Sequence, residues 1–352
     1  MSTFITLSLR TANRAAMYSL ISLLTCINLL AWLWAWLAFH AQPALMGTAL
    51  LAWVLGLRHA LDADHLAAID NVVRKQVQRG ERPLATGLFF SLGHSTIVVA
   101  ATAVIALLTL SAHRHLQALQ TIGQVVGTSI SSLFLFLLAA MNLGILHNLW
   151  QQLRRLHAQP ASQTIQGETL HFDLPGGPLA RIFGPVLRLT SKSWHMYFVG
   201  FLFGLGFDTA SEVALLALSA AQIAHGIGFT QVMALPALFT AGMMLLDTAD
   251  SVLMTEAYGW AMTQPLRKLW YNLTITAASV LMALWIGGIE VAGLIGEKFG
   301  LRQGYWHWIA VLNGNLAVFG ACALGIFLMC WGLSIALLRQ SFFSAFGAKG
   351  GT

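Results

Sequence analysis

Eight apolar stretches, each long enough to cross a lipid bilayer, dictate what this chain can fold into. They run over roughly 17–39, 44–70, 84–110, 122–147, 194–222, 230–257, 268–296 and 306–338. About 20 predominantly apolar residues in a helix span the hydrocarbon core. Inside that core every peptide group must find its partner within the protein, and a helix satisfies its own. Composition points the same way: 9% of the 352 residues are charged and 57% are hydrophobic, whereas a soluble domain carries about 25% charged residues. The expected fold class is all-α, a polytopic integral membrane protein with eight transmembrane helices.

A formal net charge of +6 raises nucleic-acid binding as an idea, but the basic residues sit in alternate loops, so lipid is the expected partner and no nucleic acid is. With the N-terminus placed in the cytoplasm, fifteen Lys and Arg residues fall in cytoplasmic segments, Arg74 and Lys75 among them, against three outside, Arg114, Lys298 and Arg302. Positive charge accumulates on the cytoplasmic side of membrane proteins, so both termini are expected there. The longest loop, 150–193, holds Pro160, Pro175 and Pro178 around Gly176-Gly177. It is expected to be a cytoplasmic linker between a first four-helix half at 1–149 and a second at 194–340, within one transporter domain spanning 1–352. No cleavable signal peptide is expected, because the first apolar segment is too long for a signal core. Cys26, Cys322 and Cys330 are scattered through three spans. They form neither a disulfide framework nor a metal pair, and are expected to be small buried residues.

The second span carries Arg58-His59-Ala60-Leu61-Asp62-Ala63-Asp64-His65. Each ionised group at mid-bilayer costs about 2.5–3.5 kcal/mol on insertion scales, so such groups face the protein interior and act there. Three further spans are interrupted similarly: Ser91 to Thr96 around His94 in the third, Asp208 to Glu212 in the fifth, and Asp247 to Asp250 in the sixth. At about 1.5 Å per residue these clusters lie at similar depth, as the walls of one central site would. On a regular helix His59, Asp62 and His65 step by about 60° and share a broad face, while Asp64 points away, to support a neighbouring group or to reach the site where the helix is unwound. Asp208 with Glu212, and Asp247 with Asp250, each share a face. Six intramembrane carboxylates (Asp62, Asp64, Asp208, Glu212, Asp247, Asp250) unpaired in lipid would cost on the order of 15 kcal/mol. Arg58 is expected to pair with Asp62 one turn on. The remaining negative charge suits a cation. His and Asp without thiols suit a borderline divalent ion such as Ni²⁺ or Co²⁺ rather than Cu(I). Gly56, Gly93, Gly204, Gly206 and Gly242 accompany the clusters, and mark close helix approach or helix breaks.

With these residues in view, the chain resembles the nickel/cobalt transporter family of bacterial permeases, most closely its high-affinity nickel type. The resemblance rests on Arg58 to His65, Leu92-Gly93-His94-Ser95-Thr96, Leu205-Gly206-Phe207-Asp208-Thr209-Ala210-Ser211-Glu212 and Leu246-Asp247-Thr248-Ala249-Asp250-Ser251, in that order. Ser211 stands where Thr is commoner in the family. The resemblance implies uptake of Ni²⁺, with Co²⁺ as a second substrate, across the bacterial inner membrane, and no cofactor beyond the transported ion. It implies that His59, Asp62, Asp64 and His65 act on the metal. It also implies that an Asn in the first span, matched here by Asn28, helps selectivity beside the second-span His. His94 is a further possible ligand, and Arg58, Asp208, Glu212, Asp247 and Asp250 line the ion pathway or relay. No GxxxxGK[ST] phosphate loop occurs, so no ATPase subunit is evident in the chain itself.

Blander alternatives stand beside these expectations. A carrier for Mn²⁺ or Zn²⁺ would use similar donors. His59 and Asp64 match the HxxxxD spacing of membrane acyltransferases, but within an apolar span and beside a second His. Glu290 and Glu297, near the outer end of the seventh span, are expected to be solvated, and Met243 and Met244 to fill the core.

Overall fold

The computed structural model describes residues 2–107, 113–158, 191–206, 209–261, 265–301, 303–322, 324–325 and 329. Among these residues the secondary structure is entirely helical, with no strand. Among the described residues, five helices are long and apolar enough to cross a membrane: Ala15–Phe39, Thr86–Leu107, Thr128–His147, Phe229–Gly259 and Thr276–Lys298. Large apolar side chains such as Leu29, Trp36, Leu107 and Leu281 point outward, unpacked. That is the surface a multi-pass membrane protein presents to lipid.

The helices that matter for the site are α1 (Ser2–Phe39), α2 (Pro43–Ala60), α3 (Ala63–Gln78), α4 (Thr86–Leu107), α5 (His113–Ala158), α6 (Met196–Gly204), α7 (Ala210–Ala224), α8 (Ala234–Ala261), α9 (Pro265–Lys298) and α10 (Tyr305–Asn313). Helix α8 runs through the middle and packs on α1, α2, α3 and α4. Helix α9 packs along α5, and α4 along α6.

Three predicted spans are not continuous helices. The second bends by 54° between α2 and α3. There Leu61 N–H bonds to the Arg58 carbonyl and Asp62 N–H to that of His59, closing α2, while Asp62 takes an extended backbone (φ −60°, ψ 138°) before α3 starts. The fifth is split into α6 and α7. Thr209, also extended, caps α7 by accepting a hydrogen bond from Glu212 N–H. Thr209-Ala210-Ser211-Glu212 has the spacing of a capping box, a start signal the apolar pattern had obscured. The eighth pauses at Gly314-Asn315 before helix resumes at 316–322.

Glycines set the helix spacing. A Cβ on Gly56 would lie 2.1 Å from the Phe239 carbonyl oxygen, and one on Gly242 would lie 2.5 Å from that of Trp53, so α2 and α8 touch backbone to backbone. Gly93 meets the Tyr197 carbonyl and Gly200 that of Phe90, a reciprocal crossing of α4 and α6. Gly87 meets the Asp247 carbonyl where α4 crosses α8. Small residues permit such contact where apolar burial alone does not drive association.

Several expectations need correction. Cys26 and Cys322 are exposed on helix surfaces rather than buried, and Cys330 lies outside the described residues. Arg74, counted as a loop residue, is 2% exposed, because α3 continues to Gln78 between α5, α8 and α9. Its guanidinium donates to Thr276 Oγ1 (2.7 Å) and Asn71 Oδ1 (3.0 Å). Asn71 also accepts from Asn142, while Asp70 accepts from Tyr258 and Ser279. This polar seam ties four helices together. Met243 and Met244 are buried, as expected of core filler.

Candidate functional site

The bend between α2 and α3 builds the site. On an unbroken helix His59 and His65 would be separated by about 9 Å along the axis. With the helix broken at Leu61-Asp62 their ring centres are 4.5 Å apart. His94 enters from α4 with its ring 4.7 Å from His59 and 4.9 Å from His65. One nitrogen from each of the three lies within 4.8 Å of the others, and all three side chains are buried. Phe90 against His65 and Phe239 against His59 wall the rings with apolar surface.

Carboxylates surround the imidazoles. Asp62 Oδ2 is 3.0 Å from His59 Nδ1, Glu212 Oε1 is 2.8 Å from His94 Nε2 and 3.9 Å from His59 Nε2, and Asp247 Oδ2 is 3.5 Å from His65 Nδ1. Ser91 Oγ donates to Asp247 Oδ2 (2.6 Å), and Thr209 Oγ1 to Glu212 Oε2 (3.1 Å). The hydroxyls thus orient the acids. His59 Nε2 and His94 Nε2 face each other at 2.9 Å, so a single proton can serve that pair.

Partners then run out. Both His65 nitrogens, His94 Nδ1, one oxygen each of Asp64 and Asp247, and both oxygens of Asp250 are buried without a hydrogen bond. Burying a polar atom unpaired costs ~1–3 kcal/mol. An excess of lone pairs over donors at one buried point is relieved by a cation, and neutral imidazole with carboxylate is the donor set of borderline divalent metals.

Of the residues singled out from sequence, His59, Asp62, His65, His94, Glu212 and Asp247 converge. Asp64 does not point away from the site as a regular helix would have it. It sits in the first turn of α3 and faces a cavity beside Asp62 and Arg58. Arg58 does not make the expected pair with Asp62; its guanidinium donates to Ser211 Oγ (3.1 Å). Asp250 is buried one turn beyond Asp247 on α8. Asn28 spends its amide on other helices. Its amide donates to the Ala241 carbonyl and accepts from Trp53 Nε1 (3.0 Å), so it joins α1 to α8 and α2. Asp208 lies outside the described residues. Glu290, expected to be solvated, is 2% exposed and accepts from Ser132 (2.8 Å) and Ser131 (3.3 Å) of α5. The Ser131-Ser132 pair was the overlooked signal for it, since two adjacent hydroxyls in an apolar helix await an acceptor.

A helical membrane protein with imidazoles and carboxylates gathered at a broken helix is built as an ion carrier. Comparison with known families supports that class: residues 45–337 match the NicO family model, described as high-affinity nickel-transport protein. The chain belongs to this family, whose members are transport proteins and not enzymes. It is 50% identical over 331 residues to the hydrogenase nickel incorporation protein HupN of Bradyrhizobium diazoefficiens, covering 94% of this chain and 86% of that one. It is 49% identical over 329 residues to a high-affinity nickel transport protein of Cupriavidus necator (93% and 92% covered). A cobalt transport protein, NhlF of Rhodococcus rhodochrous, is 41% identical over 269 residues (74% and 76% covered). No solved structure matches.

Proposed function

We propose that this protein imports Ni²⁺, with Co²⁺ as a second substrate, across the bacterial inner membrane as a single-chain permease. The observation that carries the proposal is the convergence of His59, His65 and His94 in a ring of carboxylates, with both His65 nitrogens and His94 Nδ1 lacking a hydrogen bond. In this scheme His59, His65, Asp62 and Asp64 hold the ion, His94 completes the set, and Glu212 and Asp247 balance its charge. Arg58, Asp208 and Asp250 line the onward path. Asn28 acts on selectivity through the placement of α2, since its own amide is occupied. Eight membrane segments carry the site, with both termini cytoplasmic, halves at 1–149 and 194–340, and the 150–193 linker between them.

The ion exchanges its waters for imidazole nitrogen, and a rearrangement of the broken helices then opens the site to the other side. The backbone breaks before α3 and α7 supply hinges next to the ligands. The test is ⁶³Ni uptake by cells expressing the protein, with Co²⁺, Mn²⁺ or Zn²⁺ as competitors. Uptake blocked best by unlabelled Ni²⁺ and then by Co²⁺ is expected; blockage by Mn²⁺ or Zn²⁺ ahead of Ni²⁺ would overturn the substrate assignment. Cysteines introduced at Glu81 and His225, both exposed, test the orientation. Glu81→Cys should react only from the cytoplasm and His225→Cys only from outside.

A further inference from the structure

A cavity of about 610 Å³ leads away from the histidine cluster. Its inner end is formed by Arg58, Asp62 and Asp64, and its far end by Glu297 and His307, both exposed, where α9 turns into α10. Helix α9 supplies one wall as a stripe of Glu290, Gly293 and Glu297, spaced i, i+3, i+7. Such a stripe faces one way and runs about 10 Å along the axis. At its glycines this wall packs closely on α10: a Cβ on Gly293 would come within 2.8 Å of the Asn313 amide, and one on Gly296 within 3.2 Å of the Trp306 ring. Among the described residues, four carboxylates and one guanidinium line the space. One of them, Asp64, is 7% exposed and has an oxygen without a hydrogen-bond partner at the end nearest the histidines.

The six waters of a hydrated divalent ion need roughly 180 Å³, so the cavity is large enough for a cation with its first shell intact. We propose that this cavity is the entry vestibule for the hydrated divalent cation: Glu297 captures it at the mouth, and Glu290 holds it midway before Asp62 and Asp64 receive it. The proposal rests on the transport function and orientation above, and adds to them a route and two carboxylates outside the histidine cluster. Glu290 is fixed by Ser131 and Ser132, so its carboxylate is pre-set and costs little ordering when the ion arrives. Arg58 stands at the inner end, where a second cation following the first meets a positive charge.

A capture residue acts on encounter rather than on the transport step. One unit of charge acting on a divalent ion about 10 Å away through screened water changes its local concentration about two- to fourfold. Glu297→Gln should therefore raise the half-saturating Ni²⁺ concentration of uptake by that factor with the maximal rate kept, and the double variant Glu290→Gln/Glu297→Gln should raise it further. Glu297→Asp should restore it, and added salt should shrink the difference, which a merely structural defect would not follow. In a background without native cysteines, Ala310→Cys on the cavity wall should react with a membrane-impermeant cationic thiol reagent from outside, block uptake, and be protected by Ni²⁺. If the unsubstituted protein takes up no nickel, the transport assignment itself fails. If it does, the vestibule is overturned by half-saturation unchanged in Glu297→Gln and in the double variant, by a loss confined to the maximal rate, or by Ala310→Cys reacting only from the cytoplasm.

Discussion

Replacing Gly56 by alanine adds one methyl group and should disable the protein. The new Cβ would stand 2.1 Å from the Phe239 carbonyl oxygen and 2.8 and 2.9 Å from its carbonyl carbon and Cα. These are backbone atoms of α8, which cannot swing aside as a side chain does. Restoring ordinary contact at about 3.4 Å requires α2 and α8 to part by about 1.3 Å at this crossing. Overpacking of this kind costs ~1–3 kcal/mol, which a protein of this size can survive. The site is less tolerant. His59 follows Gly56 by three residues, and Asp247, beside His65, is carried by α8 itself. Metal–nitrogen bonds of ~2.0–2.1 Å accept errors of ~0.2 Å, several times less than the imposed shift. Nickel uptake should fall at least tenfold at trace metal, while the protein still reaches the membrane and its melting temperature in detergent drops by a few degrees. Gly47→Ala on the same helix is the control. No atom lies within 4 Å of its Cβ, and alanine favours the helix by up to ~1 kcal/mol, so uptake should stay within twofold. A Gly56→Ala protein present in normal amount and transporting within twofold of the unsubstituted chain would refute the idea that this crossing sets the ligand geometry.

Single alanine substitutions of His59, His65 and His94 should each abolish trace nickel uptake while leaving insertion intact, as measured by ⁶³Ni accumulation against membrane protein level. Near-normal uptake by His94→Ala would remove α4 from the ligand set. Protons and metal compete for the same imidazole lone pairs. The half-saturating Ni²⁺ concentration in vesicles at fixed membrane potential should therefore rise as external pH falls from about 7 toward 5, across the free imidazole value of ~6.5; a flat or falling value would point to carboxylate or carbonyl ligands instead. Tyr258→Phe leaves Asp70 one donor short within the seam between α3, α8 and α9, and should cost ~1–3 kcal/mol, read as reduced thermal stability in detergent. No change in stability would mean the seam is not closed by that hydroxyl.

Much of the site was legible before any fold was known. An ionisable side chain in an apolar span is expensive wherever it lies, so His59, Asp62, His65, Glu212 and Asp247 announced themselves by cost alone, and similar depth grouped them. His94 was harder to place, because Ser95 and Thr96 offered it a local explanation; it proved to touch both other rings. Arg58 was misdirected by the assumption of a regular helix, whereas the direction of Asp64 hangs on whether the helix unwinds, and the helix breaks just before Asp64. Glu290 and Arg74 lay close to predicted span ends, where solvent is the default, and only their neighbours on α5 and α9 show them to be buried.

The sequence by itself determined the class of fold and the chemistry on offer. Apolar length and the need to satisfy backbone groups within the bilayer are local properties of each segment, and so is the choice of imidazole and carboxylate over thiol. Tertiary structure alone decided which donors meet. That depends on where α2 stops and α3 starts, on glycine contacts joining residues as distant as Gly56 and Phe239, and on hydroxyls from other helices that orient the acids. Asn28 shows the difference in one side chain. Its position beside the second span is read from order along the chain, but its amide is consumed by Trp53 and Ala241. A hydrogen bond is won by whichever partner the packing brings within 3 Å or so, and packing is settled by the whole molecule at once.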